Sequence, residues 1–197
     1  MSVGQAKGYA KREHYSVELE DLYSLAEQAS NLFVEIGFGD GKVLASFAHE
    51  RSDWTCIGID VYRPGIGALI QECESRTLNN VHILETDATS ALEHLPDGSI
   101  NLLYVLFPDP WPKRRHHFRR LINEEFVGLL NDKLATDGEI YISTDWEDYA
   151  NQIETVMTSF FASTSLESAD YRSKTRYETK AEQAGHQIWN YLFCRRL

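Results

Sequence analysis

The chain has 197 residues, 43% of them hydrophobic and 25% charged, which suits one soluble globular domain with a full core. Its 30 Asp/Glu against 19 Lys/Arg give a formal net charge of −11, which argues against a surface that attracts nucleic acid all over. No apolar run approaches the roughly 20 residues of a membrane helix, and the opening MSVGQAKGYAKREHYSVE has no signal-peptide core, so a cytoplasmic chain without a membrane partner is expected.

Short apolar runs alternate with helical patterns. Residues 1–30 read as a short N-terminal arm, with Lys7, Lys11 and Arg12 as its cations. Residues 32–36 (LFVEI) predict a buried strand, 37–41 a glycine turn and 42–50 a helix. A second strand is expected at 54–59, a helix near 65–78 and a third strand at 81–84. Residues 100–107 (INLLYVLF) form the most apolar run and predict the central strand. A Pro-rich basic loop follows, then a helix near 119–134, a fifth strand at 139–144, a helix at 146–160 and a last strand at 188–196. Strands alternating with helices imply one doubly wound α/β domain spanning 1–197, with ligands beyond the carboxyl ends of the strands. No linker or repeat divides it. Cys56, Cys73 and Cys194 are scattered and odd in number. They read as buried thiols in a reducing compartment, and no Cys/His spacing suggests a metal.

The chemistry concentrates at the strand ends. Gly37, Gly39 and Gly41 follow the first strand and allow a tight turn with close approach to a ligand. The second strand runs into Asp60, at a spacing where an acid commonly accepts hydrogen bonds from ribose hydroxyls. The third leads to Asp87, where an acid could meet an adenine amino group. A dinucleotide site wants Gly-x-Gly-x-x-Gly and tolerates no acid near the pyrophosphate. This chain has Gly-x-Gly-x-Gly, with Glu35 and Asp40 beside it. S-adenosylmethionine has no phosphate and carries a sulfonium and an ammonium, so the acids suit it better. The bland alternative is a tight strand–helix turn and a helix-capping Asp60.

After the central strand comes Phe107-Pro108-Asp109-Pro110-Trp111-Pro112, then KRRHHFRR at 113–120. Prolines on both sides should hold Asp109 in one geometry and aim its carboxylate. Trp111 either stacks on a base or plugs the core. The 113–120 stretch has five Lys/Arg and no acid, leaving 14 Lys/Arg against 30 Asp/Glu elsewhere. One basic patch on an acidic body draws a polyanion to a single place. His116 and His117 have no ligand-spaced partners. Asp145 points toward the same strand edge or caps the next helix.

Together, VEIGFGDGK at 34–42, GIDVYRPG at 58–65, FPDPWPKRRHHFRR at 107–120, STD at 143–145, TRYE at 175–178 and GHQIW at 185–189 resemble the tRNA (guanine-N7-)-methyltransferase family of the bacterial single-chain type. The resemblance implies a class I S-adenosylmethionine-dependent methyltransferase fold, with a mostly parallel seven-stranded sheet and helices on both faces. It implies that Glu35, Asp60, Asp87 and Asp109 contact S-adenosylmethionine, with Asp109 catalytic. Lys113, Asp145 and Thr175, Arg176, Tyr177 and Glu178 would contact the substrate. Arg115, His116, His117, Phe118, Arg119 and Arg120 would meet the RNA. The implied partner is tRNA, methylated at a guanine in its variable loop by a monomer or weak homodimer without metal. The family often has Glu where Asp60 stands, and Lys-Phe where Arg176-Tyr177 stands. Three rival readings stand beside it: a methyltransferase for a small molecule or protein, an RNA-binding module without turnover, and a nicotinamide oxidoreductase.

Overall fold

The computed structural model describes residues 1–164 and 174–196. Seven strands form one sheet in the order β3-β2-β1-β4-β5-β7-β6. They are β1 (Leu32–Ile36), β2 (Thr55–Ile59), β3 (Val81–Leu84), β4 (Ile100–Leu106), β5 (Leu134–Thr144), β6 (Phe161–Thr164) and β7 (Trp189–Arg195). All neighbours pair in parallel except β7, which is antiparallel to both β5 and β6. The apolar run at 100–107 does lie at the centre. The chain leaves β1 to build β2 and β3 on one side, then crosses to β4 on the other. That reversal opens a crevice at the carboxyl ends of β1 and β4, where ligands of such sheets bind.

Side chains of the parallel strands alternate between two cores, so the runs are apolar on both faces. Val34, Ile36, Leu103, Val105, Ile140 and Ile142 face one core. It is covered by α2 (Leu19–Glu27), α5 (Ala88–Glu93), α6 (Glu124–Lys133) and α7 (Glu147–Phe160). Phe33, Tyr104 and Tyr141 face the other, under α3 (Lys42–Glu50) and α4 (Arg63–Arg76). Glu35 shares that second face by the same alternation.

Several expectations change. The arm contains α1 (Val3–Tyr9) and α2, and Tyr15 and Val17 exchange backbone hydrogen bonds with Ile83 of β3. The helix expected from 119 starts only at Glu124, where the Asn123 side chain accepts from the Phe126 N–H, 3.0 Å away. Residues Arg114–Arg119 instead make a 3₁₀ turn. Strand β5 begins at Leu134, five residues before the expected start, with a register shift opposite Ile100 and Leu102. Strand β6 and helices α5 and α8 (Arg176–Gln183) have no counterpart among the elements read from residue patterns. Cys56 and Cys73 are buried, which pushes both thiols up to about 12, whereas Cys194 is only half-buried.

Candidate active site

The cleft is assembled from strand ends. Gly37, Gly39 and Gly41 all have positive φ, at 71°, 58° and 73°, a region that residues with a Cβ enter only at a cost. A Cβ built on Gly37 or Gly39 meets nothing within 4 Å, so both glycines look into open space. A Cβ on Gly41 would lie 2.5 Å from Cβ of Leu69, because there the loop packs directly on α4. The three glycines thus do two jobs: two line a cavity and one seats the loop.

Asp60, just past β2, ties the loop down. Its Oδ2 accepts from the Gly39 N–H at 3.1 Å, and its Oδ1 accepts from the Tyr62 N–H at 2.8 Å. Burial raises its pKa, and the backbone donors of Tyr62 and Gly39 oppose that rise. The carboxylate keeps acceptor capacity for a ligand hydroxyl. Glu35, at the end of β1, is 2% exposed and lies on the cavity wall.

Two adjoining cavities share Gly37, Gly39, Tyr62, Leu106 and Tyr177 on their walls. The inner one, about 220 Å³, adds Glu35, Phe38, Asp40, Thr175, Arg176 and Lys180. The outer one, about 300 Å³, adds Asp60, Asp109, Trp111 and Arg119. Of the residues singled out in the sequence, the cleft therefore gathers Glu35, Gly37, Gly39, Asp60, Asp109, Trp111, Arg119, Thr175, Arg176 and Tyr177.

The Asp109 loop is held in an unusual shape. Phe107 and Trp111 have φ of +54° and +43°, left-handed for residues with bulky side chains. The Phe107 N–H still donates to the Ser143 carbonyl at 2.8 Å, so the loop departs directly from the β4–β5 ladder. Trp111 belongs to neither core: it is half-buried, with the Arg119 guanidinium 4.8 Å from its ring centre and His116 edge-on at 5.9 Å. Phe107 stacks on Tyr177 with ring centres 6.4 Å apart, so α8 meets the loop across the cleft.

Five residues expected at the ligands or the RNA already have partners inside the fold. Asp87 is exposed and caps α5: its carboxylate accepts from the Ser90 N–H at 2.9 Å and the Ser90 hydroxyl at 2.7 Å, which lowers its pKa. It lies on neither cavity wall. Thr175 and Glu178 form a capping box at the start of α8, with the Glu178 N–H donating to Thr175 Oγ1 at 2.9 Å and the Thr175 N–H to Glu178 Oε2 at 3.3 Å. Arg176 and Tyr177, between them, reach the cleft. Asp145 does not cap α7, where Trp146 holds that position; its carboxylate lies 3.7 Å from Nδ1 of His186. Arg120, expected at an RNA surface, is 2% exposed. Its guanidinium is occupied inside the fold by Pro110, Gln152 and Asp148. The other cations of the turn, Lys113, Arg114, Arg115 and Arg119, are exposed, as is Phe118 at 77%. His117 is half-buried beside Asp148, at 3.7 Å.

Residue patterns missed Gln5, Tyr62 and Lys180 on the cleft walls. Tyr62 had a signal, an aromatic two positions past the strand-end acid. Gln5 and Lys180 had none, since both arrive by packing of terminal segments. Among the described residues, no cluster of His, Cys, Asp or Glu could hold a metal ion.

Residues 29–191 match a family model described as "Putative methyltransferase". The chain is 39% identical over 187 residues to the tRNA (guanine-N(7)-)-methyltransferase of Nitrosospira multiformis, covering 91% of this chain and 81% of that protein. It is 42% identical over 172 residues to the protein of the same name from Marinobacter nauticus, covering 83% and 72%. Among solved structures, the 16S rRNA methyltransferase KamB superposes with a TM-score of 0.62 at 14% identity, covering 88% of this chain and 92% of that one. An antibiotic-related methyltransferase gives 0.59 at 16% identity, covering 91% and 95%. What these structures share with this chain is the class I methyltransferase fold.

Proposed function

Because this chain belongs to the tRNA (guanine-N7-)-methyltransferase family, we propose that it methylates N7 of a guanine in tRNA, using S-adenosylmethionine, in the cleft between the glycine loop and the Asp109 loop. The observation that carries the site is the convergence of Gly37, Gly39 and Asp60 with Asp109 on one cavity wall, and of Glu35 on the adjoining one. The 3₁₀ turn of Arg114–Arg119 begins just past that loop, and Arg119 itself lines the cavity. A small-molecule or protein substrate is not favoured, since relatives about 40% identical carry the tRNA enzyme's name.

The cleft fits the cofactor by its own chemistry. Gly37 and Gly39 leave room where any side chain would project, and Glu35 and Asp60 offer carboxylates to cationic groups and ribose hydroxyls. Lys180 on the inner wall suits a carboxylate. S-adenosylmethionine supplies an electrophilic methyl group on a sulfonium sulfur that leaves as a neutral thioether.

Guanine N7 has a free lone pair at neutral pH, so no residue has to remove a proton before attack. The task of the protein is alignment and charge stabilisation. Asp109, in its constrained loop, accepts hydrogen bonds from the guanine N–H edge and stabilises the positive charge that the ring acquires. The stacked Phe107 and Tyr177 form a wall that helps exclude water. Lys113, Arg115 and Arg119 take phosphates of the RNA. Asp145 and the α8 residues Arg176 and Tyr177 complete the substrate side. The target lies in the variable loop, and the enzyme works in the cytoplasm. None of the helices of the described residues is long and apolar enough to cross a membrane.

The test is incubation with labelled S-adenosylmethionine and unmodified tRNA, followed by nucleoside mapping. Label in 7-methylguanosine at one variable-loop position is expected. Label in another nucleoside refutes the reading. Asp109→Ala should lower turnover far more than tRNA affinity, and equal losses in both would remove its catalytic role.

A further inference from the structure

We propose that Arg120 is a positioning residue for Asp109, acting from inside the fold rather than on the RNA. The inference rests on the reading that Asp109 is the catalytic group. Arg120 follows directly on the basic turn, yet its side chain is only 1% exposed. Every branch of its guanidinium is engaged. Nε donates to the Pro110 carbonyl at 2.8 Å, Nη1 to Gln152 Oε1 at 2.8 Å and Nη2 to Asp148 Oδ2 at 2.6 Å. Nη2 also lies 3.1 Å from Nε2 of His117, and the guanidinium sits 4.9 Å from the Tyr149 ring centre.

The bond to Pro110 carries the consequence. Pro110 has no N–H, so its carbonyl is the one backbone polar group by which the loop can be held at that residue. It is also the carbonyl immediately after Asp109. On either side, Phe107 and Trp111 sit in the left-handed region, a conformation that persists only where the surroundings over-determine it. Arg120 supplies that determination by linking the loop to Asp148 and Gln152 of α7. Gln152 is itself fixed, its Nε2 donating to the Ile122 carbonyl at 2.8 Å. The planar fork makes these bonds in one fixed geometry, which a lysine ammonium cannot reproduce. With its side chain 1% exposed and all three guanidinium nitrogens bonded inside the fold, Arg120 presents no surface to a phosphate.

The test compares wild type, Arg120→Lys, Asp109→Ala and the double variant. The measurements are kcat, S-adenosylmethionine affinity, and tRNA affinity across a salt series. Arg120→Lys is expected to lower kcat by about ten- to a hundredfold, the scale of a 1 Å misplacement. Both affinities should stay within about threefold, and the salt slope of tRNA binding should be unchanged. In the Asp109→Ala background the same substitution should change kcat by less than about twofold, since effects that act through one group do not add. A purely structural arginine would lower kcat equally in both backgrounds, and that result overturns the proposal. So does a wild-type kcat in Arg120→Lys, or a salt slope reduced by about one, the mark of a phosphate that Arg120 had neutralised. Should Arg120→Lys fail to fold, Asp148→Ala reads the same linkage from an exposed partner. It should lower kcat without moving the salt slope, and an unchanged kcat overturns the inference. Wild-type transfer that depends on Asp109 but not on Arg120 defeats this inference alone; a wild type with no transfer to tRNA defeats the functional reading beneath it.

Discussion

Replacing Gly41 by Ala separates the two jobs of the glycine loop. Gly41 has φ of 73°, and a built Cβ lies 2.5, 2.8 and 2.9 Å from Cβ, Cδ1 and Cα of Leu69. Carbon atoms pack at roughly 3.5–4.0 Å, so the overlap is about 1 Å against a residue that is fully buried on α4. Leu69 cannot swing away, because two of the three overlapping atoms are its own Cα and Cβ. The left-handed backbone costs about 1–2 kcal/mol for a residue with a Cβ, and overpacking adds about 1–3 kcal/mol. The expected loss is about 2–5 kcal/mol. Gly98→Ala is the control: its φ is 67°, it lies on neither cleft wall, and its built Cβ meets nothing within 4 Å. It should lose only the roughly 1–2 kcal/mol of strain. Gly39→Ala, at φ of 58° with open space around its Cβ, should lose a similar amount of stability but also weaken S-adenosylmethionine binding by about tenfold or more, since its new methyl projects into the cleft. Denaturant unfolding and calorimetric titration on the three variants measure both quantities. A Gly41→Ala protein as stable as Gly98→Ala would show that α4 absorbs the overlap, and the packing argument would fail.

Arg115→Ala together with Arg119→Ala should weaken tRNA binding and reduce its salt slope by about one for each phosphate left unneutralised; an unchanged slope in filter binding removes the turn from the RNA interface. Thr175→Ala deletes half of the capping box that starts α8, at about 1 kcal/mol. Hydrogen exchange should speed up in α8 ahead of the sheet, and uniform protection would contradict that. The Arg120 guanidinium holds the Asp148 carboxyl below its usual value. That stabilisation is fully present above the ordinary Asp value of about 3.9 and is lost as pH falls through the lower native one. Asp148→Asn should therefore flatten this part of the acid-unfolding curve, and an identical curve would refute the pairing.

The sequence by itself determined the parts of this protein that depend on residue type within a few positions. Strands β1 to β4 followed from short runs that are mostly apolar. The glycine loop followed from three residues that tolerate positive φ, and the constrained acid from prolines on both sides of Asp109. The family was legible in the 107–120 stretch, whose combination of prolines, acid, tryptophan and cations few other sites require. Tertiary structure decided what depends on partners far along the chain. Arg120 and Arg119 are adjacent and chemically identical, yet one is locked under Asp148 and Gln152 while the other lies over Trp111. Only α7, packed behind the loop, distinguishes them. Thr175 and Glu178 turned inward to cap a helix whose pattern was too short and polar to read, and that helix brought Tyr177 onto Phe107, 70 positions away. Residue patterning along a segment sets how that segment folds. Which of its polar groups remain for a ligand is set by the hydrogen bonds the rest of the fold has already claimed.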